Sequence, residues 1–491
     1  MNRKPTASTT SPTLRTGLAL GLGKLSQACL RLISRLNLSC DGTSFPGRIM
    51  LMVDSSIIAT LSQHCQGVIL VTGTNGKTST TALLAELLRQ SGQKVLSNPE
   101  GANMVSGLAT ALLKAKPRPR SQTNLARNSP PQLAVLEVDE SSLTPLARLL
   151  PQVNLITVTN LFPDQLDRHG SVQALADRMQ KALAAWPTAS LVLNANDPLV
   201  ASWGQNRPDC HFFTVNAAGN NTHQQQPPQD LLCPCCRQSL HYNRIHYAQL
   251  GAYVCPHCAF HPPAALVEVQ PLEDKAGSGT ALLVRTPREK LTLHSPLTGL
   301  YNTYNTAAAL ATMAAWLPST SLRSLAPALA SFQTPAGRTE YFRWPQSNKQ
   351  AALALAKNPA GFNQVLTTLI SRRNRSSPIT LLVAINDLPA DGRDISWLKD
   401  IHLDNIPLGS RAICSGRRAH AVAERFRASS LPPAHILVKP NLRRAVKAAL
   451  QTPAADIVVL CNYTVLSPLR AALLKTGGET FTARPVVRKY K

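Results

Sequence analysis

The chain has 491 residues, 51 of them Lys or Arg against 26 Asp or Glu, for a formal net charge of +25. That excess favours anionic partners such as nucleotides, nucleic acid, pyrophosphate groups or an acidic membrane face; it fits a merely solvated basic surface equally well, since no Lys/Arg run is dense enough to form a basic arm. No run reaches the ~18 apolar residues of a membrane span, and eleven cysteines, scattered apart from two C-x-x-C pairs, suit a reducing cytoplasm better than a disulfide framework.

About three domains are expected at this length. Residues 1–13 read as disordered. Arg3 and Lys4 precede a weakly apolar TGLALGLG with no small-x-small site after it, which argues against a signal peptide. From Leu14 to Leu38, Leu18, Leu22, Leu25, Cys29, Leu32 and Leu36 recur at helical spacing, with Arg15, Lys24, Gln27, Arg31 and Arg35 mostly on the other side. Such a helix packs on the body of the protein or rests on an anionic bilayer, and both readings stay open.

Residues 51–115 alternate strand and helix. GVILVT (67–72) fits a buried parallel strand. LAVLEVDE (133–140), VNLITVTN (153–160) and ASLVLNAND (189–197) read as further strands, and NTYNTAAALATMAAWL (302–317) as a helix. After Arg338 the alternation restarts with AALALA, PITLLVAI, RAICSG, AHILVK and DIVVLC, an α/β unit of ordinary domain size. No internal repeat is evident. The expected division is an N-terminal tail and amphipathic helix (1–50), an ATP-binding domain (51–335) carrying a cysteine insertion at about 228–262, and a second, Rossmann-like α/β domain (336–491).

VILVTGTNGKTSTTALLAELL runs strand, glycine turn, Lys-Thr, helix. Gly73, Thr74, Asn75, Gly76, Lys77, Thr78 and Ser79 form a candidate phosphate cradle: glycines admit the anion close to the backbone, amides at the helix start face it, Lys77 reaches the terminal phosphates and Thr78 ligates Mg²⁺. Val71 stands where the full G-x-x-x-x-G-K-[ST] pattern wants Gly, so the loop is a shortened variant. A Gly-Lys-Thr turn without a ligand is the competing reading. Cys233, Cys236, Cys255 and Cys258 form two C-x₂-C pairs eighteen residues apart, a spacing that suits a closed, structural tetrahedral Zn²⁺ site. Free buried thiols are the plainer alternative. A zinc ribbon in a basic chain could also bind nucleic acid, but HYNRIHY between the knuckles is no recognised aromatic-basic platform. Cys235 is a spare thiol.

TGTNGKT resembles the ATP loop of the Mur ligases, which join an amine to a carboxylate through an acyl phosphate. NLFPDQLDRHG (160–170), LNANDP (193–198), GLYNTYNTAAAL (299–310) and AGR (336–338) match in the same order. The resemblance implies a Mur-ligase-type P-loop ATPase with ATP and Mg²⁺. In it Glu137 holds a second Mg²⁺, Asn302 and Asn305 lie near the adenine, and Arg338 reaches phosphate. The chain departs from the family at Gln165, where His is usual, at Met179, where a carbamoylated lysine is expected, and at Ala354 and Lys357 in ALAKNP (354–359). These departures spare the carboxylate-activating half and alter the amine-binding half. With the four-cysteine insertion, FPGRI (45–49), NPEGANM (98–104), EVDESSL (137–143), LAKNPAGFN (355–363), DGRDISW (391–397) and CNYTVLSPLR (461–470), the chain resembles the MurT branch over nearly its whole length.

NDLPADGRDISW (386–397) gathers three acids, Asp387, Asp391 and Asp394, in a basic chain. Turn-forming aspartates ahead of a helix are the bland explanation. The MurT resemblance implies a GatD-type glutaminase partner, with Asp394 as the acid that completes the partner's Cys-His pair across the interface and Asp391 and Asp387 as reserves. It also implies cytoplasmic amidation of the D-glutamate of lipid II, at or near the membrane face. An amino-acid-adding ligase of Mur or folylpolyglutamate type and a zinc-ribbon nucleic-acid binder are the rival readings.

Overall fold

The structure is a computed structural model that describes residues 14–35, 44–98, 102–115, 132–164, 170–205, 207–217, 231–272, 279–335, 338–371 and 377–481. The chain forms two compact units. One comprises Met1–Thr72, Leu84–Thr157 and Arg178–Leu191; the other Gly73–Leu83, Val158–Asp177 and Val192–Lys491.

In the first unit, β1 (Cys65–Thr72), β2 (Lys94–Ser97) and β3 (Gln132–Glu137) run parallel, with β3 pairing β1 and β2. Val68 to Val71 are all buried, as expected of a parallel strand covered on both faces. The register sets Val71 opposite Glu137.

The N-terminal helix runs Leu14–Arg35, and the rest of its expected span lies outside the described residues. Its packing corrects the expected amphipathic face. Thr16, Ala19 and Gly23 are buried, whereas Leu18, Leu22, Leu25 and Cys29 are exposed. Small side chains win the interface because the helix lies close against the helix Phe45–Val53: a Cβ on Gly23 would stand 2.6 Å from the Met50 sulfur. That second helix in turn crosses the helix Val105–Leu112 at Gly47, where a Cβ would meet the Ser106 carbonyl at 1.9 Å. The Gly47 amide donates to Thr110 Oγ1 at 2.8 Å.

β4 (Leu155–Val158) and β5 (Ser190–Asn194) follow in the chain. The second unit then contains β6 (Cys210–Val215), β7 (His241–Tyr247), β8 (Leu250–Val254), β9 (Val267–Leu272), β10 (Thr280–Arg285) and β11 (Lys290–Ser295). β6 pairs β9 in parallel, and β9, β10 and β11 form an antiparallel meander. The helix Leu300–Trp316 is buried from Asn302 to Met313; its Ala and Thr side chains let it settle against β6 and β9.

Later in the same unit lie β12 (Glu340–Trp344), β13 (Lys349–Leu355), β14 (Thr380–Ala384), β15 (Arg411–Ser415), β16 (Ile436–Val438), β17 (Asp456–Cys461) and β18 (Glu479–Phe481). They make a seven-stranded sheet in the order β16-β15-β14-β17-β13-β12-β18. The run from β16 to β13 is parallel, and β12 and β18 form an antiparallel edge. Apolar clusters cover both faces, one around Phe362, Leu381 and Phe426, the other around Leu382, Val459 and Leu469. All five strands expected after Arg338 are present. Such a sheet places its sites beyond the carboxyl ends of the strands.

Candidate active site

The loop after β1 turns on Gly73 and Gly76, at φ 119° and 86°. Only glycine enters that region cheaply, and the space is filled as well. A Cβ on Gly73 would stand 2.3 Å from Thr159 Oγ1, and one on Gly76 2.0 Å from Asn305 Oδ1. Asn160 braces the loop: its carbonyl accepts from the Thr74 amide at 2.9 Å and its Oδ1 from the Asn75 amide at 2.9 Å. The Asn75 carbonyl accepts from Thr159 Oγ1 at 2.8 Å and Asn160 Nδ2 at 3.0 Å.

Lys77 opens the helix Lys77–Gln90 and is buried. Its ammonium folds back onto the Gly73 and Thr74 carbonyls at 2.5 and 3.2 Å. Arg338 Nη2 donates to Thr78 Oγ1 at 2.7 Å, and Ser79 is buried beside them in sequence. Asn305 donates to Asn302 Oδ1 at 3.2 Å, and Asn302 to the Thr298 carbonyl at 2.9 Å. The loop thus gathers Lys77, Thr78, Asn305 and Arg338, with Asn302 behind Asn305. A backbone that tolerates no Cβ, with a cation and a hydroxyl at the helix start, suits a polyphosphate.

Glu137, at the end of β3, is buried. Its Oε1 accepts from Asn103 Nδ2 at 2.9 Å, while Asn98 brackets its backbone, accepting from the amide at 2.8 Å and donating to the carbonyl at 2.9 Å. Asn98 and Asn103 both fall in NPEGANM, yet no spacing rule marks them as the residues that hold the backbone and the carboxylate of Glu137.

Two polar pairs at ALAKNP carry no signal in the local sequence. Lys357 Nζ lies 2.5 Å from Asp164 Oδ2, and Asn358 exchanges two amide hydrogen bonds with Asn75, at 3.1 and 3.0 Å. Ala354 is buried in β13 and Met179 is buried in the helix Val172–Leu183. Gln165 lies outside the described residues.

The cysteine insertion is built from two matching turns. The Arg237 amide donates to the Cys233 carbonyl at 2.9 Å and the Ala259 amide to the Cys255 carbonyl at 3.0 Å. Arg237 and Ala259 both adopt left-handed φ, 63° and 58°. The turns bring Cys233 and Cys258 sulfurs to 3.6 Å and Cys236 and Cys255 to 3.4 Å, all four within 4.8 Å. A tetrahedral zinc with bonds of ~2.3 Å needs sulfurs roughly 3.8 Å apart, so the thiols fit the ion. Burial pushes the Cys255 thiol up, but the amides of Cys258 and His257 and the neighbouring thiols bring it down to about 6. The hairpin β7–β8 and Phe260 pack on the cluster. Cys235 is exposed and donates to Gln205 Oε1 at 3.2 Å.

The aspartate loop leaves the carboxyl end of β14 and is held to the chain after β17. Asn462 Nδ2 donates to the Asn386 carbonyl at 2.7 Å. Asp387 accepts from Arg417 at 3.0 Å and Arg418 at 2.8 Å. Burial raises its carboxyl, but the two guanidiniums hold it below the usual range. Asp391 is buried and accepts from the Thr464 amide at 2.9 Å and hydroxyl at 2.5 Å, capping the helix Tyr463–Lys475. Asp394 is exposed; it accepts from the Ser396 amide at 2.8 Å and hydroxyl at 2.9 Å, which lower its carboxyl. Its carboxylate retains open lone pairs toward solvent.

Among the described residues no helix is long and apolar enough to cross a membrane. The family descriptions Mur ligase middle domain and MurT ligase C-terminal match residues 71–231 and 355–466. Lipid II isoglutaminyl synthase (glutamine-hydrolyzing) subunit MurT of Streptococcus pneumoniae is 30% identical over 97% of this chain and 99% of its own. The subunit of the same name from Staphylococcus aureus is 26% identical over 95% of this chain and 100% of its own. Among solved structures, a pseudomurein peptide ligase type C from Methanothermus fervidus superposes with a TM-score of 0.66 at 20% identity, over 85% of this chain and 80% of that one. The fold is that of the Mur ligases, and the chain belongs to the MurT family of ligases.

Proposed function

We propose that the chain is the synthetase subunit of a two-component amidating ligase in peptidoglycan synthesis. Its acceptor is the α-carboxylate of D-glutamate in the lipid II stem peptide, and its nitrogen comes from glutamine through a GatD-type partner. The γ-phosphoryl of ATP passes to a carboxylate oxygen and ADP leaves. Ammonia then forms the C–N bond as the C–O bond to phosphate breaks, and D-isoglutamine and inorganic phosphate result, the phosphate taking the proton that nitrogen loses. Lys77 and Arg338 spread the charge that builds on the transferred group. Thr78 would hold one Mg²⁺ and Glu137 a second; when bound, such ions neutralise phosphate oxygens. Asn302 and Asn305 serve the adenine end. Cys233, Cys236, Cys255 and Cys258 hold a structural Zn²⁺.

Asp394 orients the partner's histidine and stabilises its protonated form. The observation that carries this reading is that the fold consumes Asp387 and Asp391 in its own contacts and leaves Asp394 at the surface. Support also comes from relatives of that name aligned over nearly the whole chain. In this reading residues 51–335 are the ATP-binding domain, with the cysteine insertion at about 228–262, and 336–491 the partner-facing domain. The reaction runs in the cytoplasm, where the acceptor lies at the membrane face.

The test gives the purified chain Mg-ATP, lipid II and ammonium salt, without glutaminase. ADP and a new carboxamide should appear together. ADP formation that requires an added amino acid would instead make it an amino-acid-adding ligase.

A further inference from the structure

The N-terminal helix buries its small residues and shows its large ones to water. Leu18 is 55% exposed and Leu25 62%, beside Leu22 and Cys29 on the same stripe, while Ala19 is fully buried. The helix it packs on, Phe45–Val53, also turns large apolar side chains outward: Phe45 is 53% exposed and Met52 80%, while Pro46, Gly47 and Met50 form its buried side. Single exposed leucines need no explanation, but a helical stripe of them on a helix with a satisfied opposite face does. Arg15, Lys24 and Arg48 are exposed on the same two helices. Residues 1–53 carry seven Lys or Arg and one acid, Asp41, which lies outside the described residues. The next acid, Asp54, is already engaged by the Thr16 hydroxyl at 2.7 Å and the Ser56 amide at 2.9 Å.

We infer that this helix pair is a peripheral docking surface for an anionic bilayer. The leucines enter the headgroup–acyl boundary and the cations meet acidic lipid headgroups. Charge complementarity selects this occupant over a second copy of the chain, whose corresponding face carries the same positive charge. The inference deepens the proposed function, on which it rests for its purpose: it brings the ligase to an acceptor that is itself a membrane lipid.

The test is sedimentation of the full chain with vesicles of phosphatidylglycerol and phosphatidylcholine, against vesicles of phosphatidylcholine alone. The wild type should partition at least about tenfold more strongly onto the anionic vesicles, and added salt should weaken it. The exposed triple change Leu18→Ser, Leu22→Ser and Leu25→Ser should reduce binding about tenfold, and Arg15→Gln with Lys24→Gln should reduce it as well. Equal sedimentation with both vesicles, or a triple variant that binds like the wild type, overturns the inference. So does loss of self-association in the triple variant without any vesicle binding, which would identify a second copy as the occupant. Amidation of detergent-solubilised acceptor should be the same in wild type and triple variant. A wild type that binds vesicles but never amidates would sink the functional proposal alone; one that amidates but ignores vesicles would sink this inference alone.

Discussion

The phosphate loop and the aspartate loop both gather polar residues at the carboxyl end of a parallel strand, yet they are finished differently. Around Gly73–Lys77 the chain closes on itself: Asn160, Thr159, Asn358 and Asn305 occupy or brace the backbone, and Lys77 is folded onto loop carbonyls. Around Asp387–Asp394 the chain uses two acids and leaves the third facing solvent. A pre-organised cradle suits a small anion that arrives alone. A half-finished carboxylate suits a group that a second protein brings.

Four substitutions break or sharpen that contrast. Lys77→Ala should lower ATP turnover by about a thousandfold with either nitrogen source, measured as ADP release, because the cradle loses its cation. Asp394→Asn should cut glutamine-dependent amidation by about a hundredfold and leave the ammonium-driven rate within about twofold. A matched fall in both rates would mean that Asp394 is only a turn residue.

Asp391→Ala should lower stability by about 1–2 kcal/mol in urea unfolding, since the helix Tyr463–Lys475 loses a cap and Thr464 a partner. Both nitrogen sources should then suffer alike. The smallest effect concerns His246, whose Nδ1 lies 2.5 Å from the phenolic oxygen of Tyr304. Burial depresses its pKa from 6.5 to about 4. The folded state therefore holds a neutral ring, and its stabilising share is present above pH 6.5 and lost as pH falls toward 4. His246→Gln should flatten that part of the urea midpoint against pH and leave neutral-pH turnover unchanged.

Much of this was legible in the residues. GVILVT followed by GTNGKT announces a buried strand and a glycine turn, because β-branched runs and paired glycines act locally. The five strands after Arg338 are visible for the same reason. The meander β9–β11 is fainter: Lys290–Ser295 alternates exposed Lys290, Thr292 and His294 with buried Leu291 and Leu293, a period-two signal only six residues long. The N-terminal helix was legible as a helix but not by its face, since hydropathy ranks Leu over Ala while close helix packing ranks size. The braces Asn160 and Asn358 meet the loop only through tertiary structure, so no spacing could have found them. The same holds for the split among the three aspartates: their clustering is visible in sequence, and their different fates depend on Arg417, Arg418 and Thr464.

The paired amides of Asn75 and Asn358 have a mechanical corollary. Asn358 immediately precedes the helix Pro359–Ser371, a rod about 19 Å long. One turn along it, Asn363 donates to the Asp400 carbonyl at 3.1 Å and accepts from the His402 amide at 2.8 Å, and Phe362 meets the Trp397 ring with centroids 6.4 Å apart. Any displacement of Asn75 must therefore rupture two uncharged, salt-insensitive links or drag the rod, and with it the segment that follows Asp394. A shift of the glycine turn at Asn75 would thus be carried by a single helix toward the chain that follows the surface acid.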